Sequence, residues 1–153
     1  MRILLSIMLL FVALLISGCI NSSDATQNSN VSYTVESAGT QFGILNEQFQ
    51  VILNATQFSS LLSSTSLSGT IPSVDFNNVS LVAVFSGLQR GCFGDTLSIT
   101  GVLETKSTIT ISVVRTIHNP PPGTSCTYAI PAGGPYVLIS IPKTDKLISL
   151  HIE

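Results

Sequence analysis

Hydrophobic and polar positions alternate with short periods along most of residues 33–153, and the period lengthens only once. Tyr33 and Val35 stand between polar neighbours and predict a short strand, and Phe49, Val51 and Leu53 repeat that pattern. At Asn54 the pattern becomes helical. Asn54 is the expected N-cap and Gln57 the third helical residue, a capping-box arrangement, with Phe58, Leu61 and Leu62 on one face. Ser68-Gly69 is the expected stop, because glycine tolerates positive φ, and Pro72 prevents continuation. From Val79 onward the pattern is β throughout. Val79 to Phe85 is a near-continuous apolar run of the kind found in central strands. Thr96 to Leu103 and Ser107 to Thr116 are rich in Thr, Ile and Val, which suit a pleated sheet, and Glu104-Thr105-Lys106 is short enough for a hairpin. Asn119-Pro120-Pro121-Pro122-Gly123 reads as a loop, since proline removes ladder donors. Tyr136 to Ile141 forms another buried strand ended by Pro142. Leu147 to Ile152 forms the last, with Ile148, Leu150 and Ile152 opposite Leu147, Ser149 and His151. One helix followed by successive antiparallel strands predicts an α+β domain. The expected architecture is a mainly antiparallel β-sheet or partly open barrel with one short helix, packed on a sheet face or closing a barrel end.

The first residues follow a different rule. Met1-Arg2 is a short positive n-region, and Ile3 to Ile16 is apolar except for Ser6. Fourteen residues fall short of the about 20 needed to span a bilayer but fit the apolar region of a secretory signal. Ile16-Ser17-Gly18-Cys19 then reads as a lipobox, in which the Cys19 thiol is acylated and becomes the mature N-terminus. Several acyl chains on one cysteine satisfy the requirement that stable anchoring takes more than one chain. The reading divides the sequence into a signal peptide (1–18), a lipid-anchored polar tether (19–32) and a domain (33–153). The expected location is the outer face of a cytoplasmic membrane, or the periplasmic side of one. The Asn/Ser-rich tether contains two accessible glycosylation triplets, at Asn21 and Asn30; two more begin at Asn54 and Asn78.

Composition narrows the function. Charged residues are 9 % of the chain, against roughly 25 % in soluble proteins, and 22 serines and 15 threonines supply polarity in their place. With 44 % hydrophobic residues this is no disordered polyelectrolyte. Six basic residues against eight acidic ones, net −2, argue against a nucleic-acid surface and against electrostatic binding to anionic lipid.

The order ILNEQFQVILNATQFSSLL, IPSVDFNNVSLVAVFSG, a Gly-rich turn, a hairpin and CTYAIPAGGPYVLISIPKTDK resembles the C-terminal domain of the protease-complex subunit PrcB, from about Val31 to Glu153. The best-matching pieces are Val74-Asp75-Phe76 before an apolar strand and Pro135-Tyr136 leading to Ile141-Pro142-Lys143. The chain departs from the family at the turn, where Arg90-Gly91-Cys92-Phe93 replaces a Thr-Gly-Gly-Tyr pattern. The resemblance implies an exported protein that assists or stabilises a surface protease complex.

Chemical candidates are few. Export puts Cys92 and Cys126 where disulfides persist, and a bridge between them, enclosing 35 residues, has an expected worth of roughly 3.7 kcal/mol. His118 and His151 lack metal-ligand spacing with these thiols, so no metal and no cofactor is assigned. No Gly-x-Ser-x-Gly or ordered Ser/His/Asp series occurs, and Asp75, Asp95, Glu104 and Asp145 form no evident acid–base pair. Asp75 reads as a turn residue whose carboxylate accepts local backbone N–H bonds. The segment Gly87-Leu88-Gln89-Arg90-Gly91-Cys92-Phe93-Gly94 combines glycines, an arginine and an aromatic, and Arg90 and Phe93 are the candidate partner contacts. The sequence therefore points to a non-catalytic binding or assembly module for an exported protein such as a protease, held at the membrane by lipid. A small-ligand binder or an extracytoplasmic enzyme is the alternative.

Overall fold

Two long apolar runs form the centre of the molecule, and each is buried on both faces. The computed structural model describes residues 28–88, 94–118, 121–123 and 133–153. Within them lie β1 (Ser29–Asn30), β2 (Thr34–Phe42), β3 (Glu47–Ile52), α1 (Ala55–Ser64), β4 (Ser66–Leu67), β5 (Val79–Ser86), β6 (Thr96–Glu104), β7 (Thr108–Thr116), β8 (Gly133–Pro142) and β9 (Leu147–Ile152). They build a four-stranded sheet ordered β1-β6-β7-β9 and a five-stranded sheet ordered β3-β5-β8-β2-β4. The fold is α+β, dominated by antiparallel sheet with one short helix, and the sheets are not closed into a barrel.

The pleat explains the layering, because successive side chains point to opposite faces. Val82 and Val84 of β5 and Val137, Ile139 and Ile141 of β8 meet Leu97, Val102, Ile109, Ile111 and Val113 of the facing sheet. Their neighbours Leu81, Ala83, Phe85, Tyr136 and Leu138 point the other way, onto Phe58 and Leu61 of α1. The molecule is thus a helix on a sheet on a sheet. The register places Val82 opposite Ile139 and Val84 opposite Val137, which keeps both faces in phase.

Helix α1 begins as the sequence predicts. Asn54 Oδ1 accepts the Gln57 N–H at 2.9 Å, and Gln57 Oε1 accepts from the Leu53 N–H at 2.7 Å. It ends earlier than the expected Gly69. Thr65 is already extended, with φ −136°, and its N–H and Oγ1 both donate to the Leu61 carbonyl, freeing the next two residues to pair with β2 as β4.

Three pairings depart from the sequence reading. Strand β2 runs nine residues rather than a short stretch around Val35. Strand β9 pairs with β7 in parallel, since the 143–146 connection crosses from one sheet to the other. Residues 29–31, assigned to the tether by their polarity, pair with β6, and Val31 packs against the core.

The strands give the sandwich two distinct poles. Ser86, Thr96, Thr116, Gly133, Phe42 and Glu47 terminate strands at one, the loop pole, from which the 87–94 and 117–132 segments depart. The 105–107 hairpin, the 143–146 connection and the starts of β1 and β5 mark the other, the hairpin pole. Among the described residues no helix is long and apolar enough to cross a membrane.

Candidate functional site

The loop pole is organised around one arginine. Ile109, Ile111 and Val113 of β7 face the core, so Arg115 continues that face to the sandwich's end. Its side chain is only 6 % exposed. Arg115 Nε donates to Asp95 Oδ2 at 3.1 Å, and Nη2 donates to the same carboxylate oxygen. Nη1 donates to the Ser86 carbonyl at 3.0 Å and Nη2 to the Leu88 carbonyl at 2.7 Å. One planar fork of donors therefore ties the last residue of β5, the residue two further on, and the residue before β6. These are the two ends of the 87–94 segment. Two residues past β7, His118 also holds the later end, its Nδ1 2.8 Å from the Gly94 carbonyl.

The flanking turns are tightly built. Gly87 has φ +72°, and a Cβ there would meet the Leu45 carbonyl oxygen at 2.8 Å. The Leu88 N–H donates to the same carbonyl at 3.3 Å. Gln41, fully buried, accepts from the Ile44 N–H at 2.9 Å and donates to the Ile44 carbonyl at 2.6 Å, closing the turn before β3. Leu45, Leu88 and Ile117 stand on the rim, each more than 40 % exposed.

Of the residues named from the sequence, Cys19, Asn21, Arg90, Cys92, Phe93 and Cys126 lie outside the described residues. Asn30 is exposed on β1, the edge strand of its sheet. Asn54 is occupied as the helix cap and Asn78 donates to Asp75 Oδ2 at 2.7 Å. The expected Cys92–Cys126 disulfide is withdrawn: no disulfide bond occurs among the described residues, and both cysteines lie outside them. Arg115, and His118 two residues past β7, hold both ends of the 87–94 segment by hydrogen bonds.

Arg115 and Asp95 are the site residues that the sequence reading missed. The signal was present in the alternation: an arginine two positions past three core-facing residues must be buried, and a buried charge needs a partner. Asp95 lies two residues before Leu97, the register partner of Arg115, on the same face. Asp75 serves as the turn residue expected. Its Oδ1 accepts the Asn77 N–H at 3.1 Å, and this bond, with Asn78 and the Lys143 charge, lowers its pKa.

No group of three or more His, Cys, Asp or Glu suited to a metal occurs among the described residues. An open cleft of about 230 Å³ lies at the hairpin pole between Tyr33, Asn78 and Pro142, below the usual 300–1,000 Å³ of ligand pockets. Comparison with family models, curated proteins and solved structures finds no match to this chain. The resemblance to the PrcB C-terminal domain rests on the quoted segments alone.

Proposed function

We propose that this chain is a lipid-anchored, extracytoplasmic binding module that presents its 87–94 segment to an exported protein and performs no catalysis itself. The observation that carries the reading is the Arg115 fork. Among the described residues, a buried arginine directs its hydrogen bonds to Ser86, Leu88 and Asp95, at the two stems of that segment. A recognition loop gains affinity when its ends are fixed before binding, because less ordering remains to be done in the complex. Arg90 is the expected charge-assisted contact and Phe93 the apolar one, in keeping with the residue types that dominate protein interfaces. The resemblance to the PrcB domain points to a protease complex as the class of partner. Shared anchoring at one membrane raises effective concentration without strong intrinsic affinity.

Two measurements test this. Detergent partitioning of the wild type against Cys19→Ser reads the anchor: the wild type enters the detergent phase and the variant does not. Chemical crosslinking in intact membranes reads the partner: wild type captures a specific exported protein and Arg90→Ala captures several-fold less. Equal capture by both removes the loop from the account.

A further inference from the structure

The geometry points to the hairpin pole as the membrane-facing surface of the domain, with Leu147 set into the lipid headgroup layer and Lys106, Lys143 and Lys146 placed to meet its phosphates. This rests on the lipid anchor at Cys19 proposed above and adds which end of the domain the bilayer meets.

The chain enters the domain at the hairpin pole. Ser29 pairs with Glu104 and Asn30 with Leu103, beside the 105–107 hairpin. Ten peptide steps separate Cys19 from Ser29. Fully extended they reach about 35 Å, and as a coil they average about 17 Å. The nine residues of β6 carry the sandwich about 27 Å from that point to the loop pole. The loop pole therefore meets the bilayer only with the tether stretched nearly to its limit along the domain's side. The hairpin pole meets it at any ordinary extension.

The hairpin pole also carries the chemistry that such a contact needs. All three lysines of the chain lie there. Lys106 is exposed in the hairpin. Lys143 Nζ donates to the Phe76 carbonyl at 2.8 Å, and Lys146 Nζ donates to the Thr105 carbonyl and pairs with Glu104, each at 2.8 Å. On the same pole stands Leu147, 71 % exposed, the most exposed large hydrophobic among the described residues. Its N–H donates to the Ser107 carbonyl at 3.1 Å, which holds it at the hairpin's base. An exposed apolar side chain on the same pole as three lysines suits an interfacial contact, apolar group below the headgroups and ammoniums at their level. Asp75, Glu104 and Asp145 stand on the same pole, so net charge does not drive the contact; the tether does, and the lysines and Leu147 set the orientation.

The chain contains no tryptophan, so one introduced residue is an unambiguous reporter. Full-length protein, lipidated in a bacterial host, is reconstituted into phosphatidylethanolamine–phosphatidylglycerol vesicles carrying a quencher near the headgroups. Leu147→Trp at the hairpin pole and Ile117→Trp at the loop pole are compared. Both positions are exposed, so both variants fold. The expected result is quenching of Leu147→Trp at least about twofold greater than of Ile117→Trp. Equal quenching, or stronger quenching of Ile117→Trp, in protein that stays on the vesicles overturns the orientation while leaving the anchor standing. Protein that fails to stay on the vesicles, or a Cys19→Ser variant that stays equally well, overturns the anchor and the membrane face together.

Discussion

Arg115 and Asp95 form a buried ion pair at the end of the sandwich, with side chains 6 % and 0 % exposed and the guanidinium Nε 3.1 Å from the carboxylate. The pair couples the last turn of β7 to the start of β6, and through the Ser86 and Leu88 carbonyls it couples both to the end of β5. Removing one member leaves the other charged and buried. Arg115→Met is expected to destabilise by about 3–5 kcal/mol, and combining it with Asp95→Asn to recover part of that loss. Urea unfolding midpoints of the single and double variants measure it. A single variant within a few tenths of a kcal/mol of wild type contradicts the arrangement.

The core predicts opposite effects at two positions on the paired strands β5 and β8. Ile139 is fully buried between the sheets, and Ile139→Ala is expected to destabilise by about 2–5 kcal/mol. Ser80 is also fully buried, and its Oγ has no hydrogen-bond partner among the described residues. Ser80→Ala removes an unsatisfied hydroxyl and is expected to raise stability by about 1 kcal/mol. Thermal unfolding of both variants checks the pair.

Glycines separate close approach from open space. A Cβ on Gly133 would fall 1.7 Å from the Gln41 carbonyl oxygen across the β2–β8 pairing, whereas none of the described residues comes within 4 Å of one on Gly101. Gly133→Ala is expected to destabilise by more than about 2 kcal/mol and Gly101→Ala to fall within about 0.5 kcal/mol of neutral. Comparable losses at both positions would contradict the register.

Much of this architecture is legible in the sequence, and the failures have identifiable causes. The capping pair Asn54 and Gln57, the doubly buried runs of β5 and β8, and the alternation of Ile148, Leu150 and Ile152 all report local periodicity, and the structure carries each of them. Strand β2 escaped notice beyond Val35 because TVESAGTQF has few apolar residues; it lies mostly exposed, and its order comes from pairing with β8 and β4. The parallel β7–β9 pairing joins segments about 39 residues apart, which no local pattern encodes. Arg115 was legible by its parity on β7, but its partners Ser86 and Leu88 become visible only once β5 and β7 stand in facing sheets.

Asp75 predicts an acid dependence. The Asn77 N–H, the Asn78 amide and Lys143 lower its pKa from 3.8. A depressed folded-state pKa means that its contribution is present above 3.8 and is lost as pH falls through the lower, folded value. Asp75→Asn is expected to flatten that part of the acid limb and to leave stability near neutral pH little changed. Unfolding midpoints followed from pH 6 downward, over about three units, read the difference.

The central claim is that the loop pole meets a protein partner, and site-specific photocrosslinking in membranes tests it most directly. A photoreactive residue at position 88, on the rim beside the Arg115 fork, is compared with one at position 106 on the hairpin pole. The account predicts a single exported protein crosslinked from position 88 and not from position 106, with the yield falling several-fold in Arg90→Ala, as expected for loss of an arginine contact. The same protein captured equally from both positions, or no specific protein captured from position 88, contradicts it.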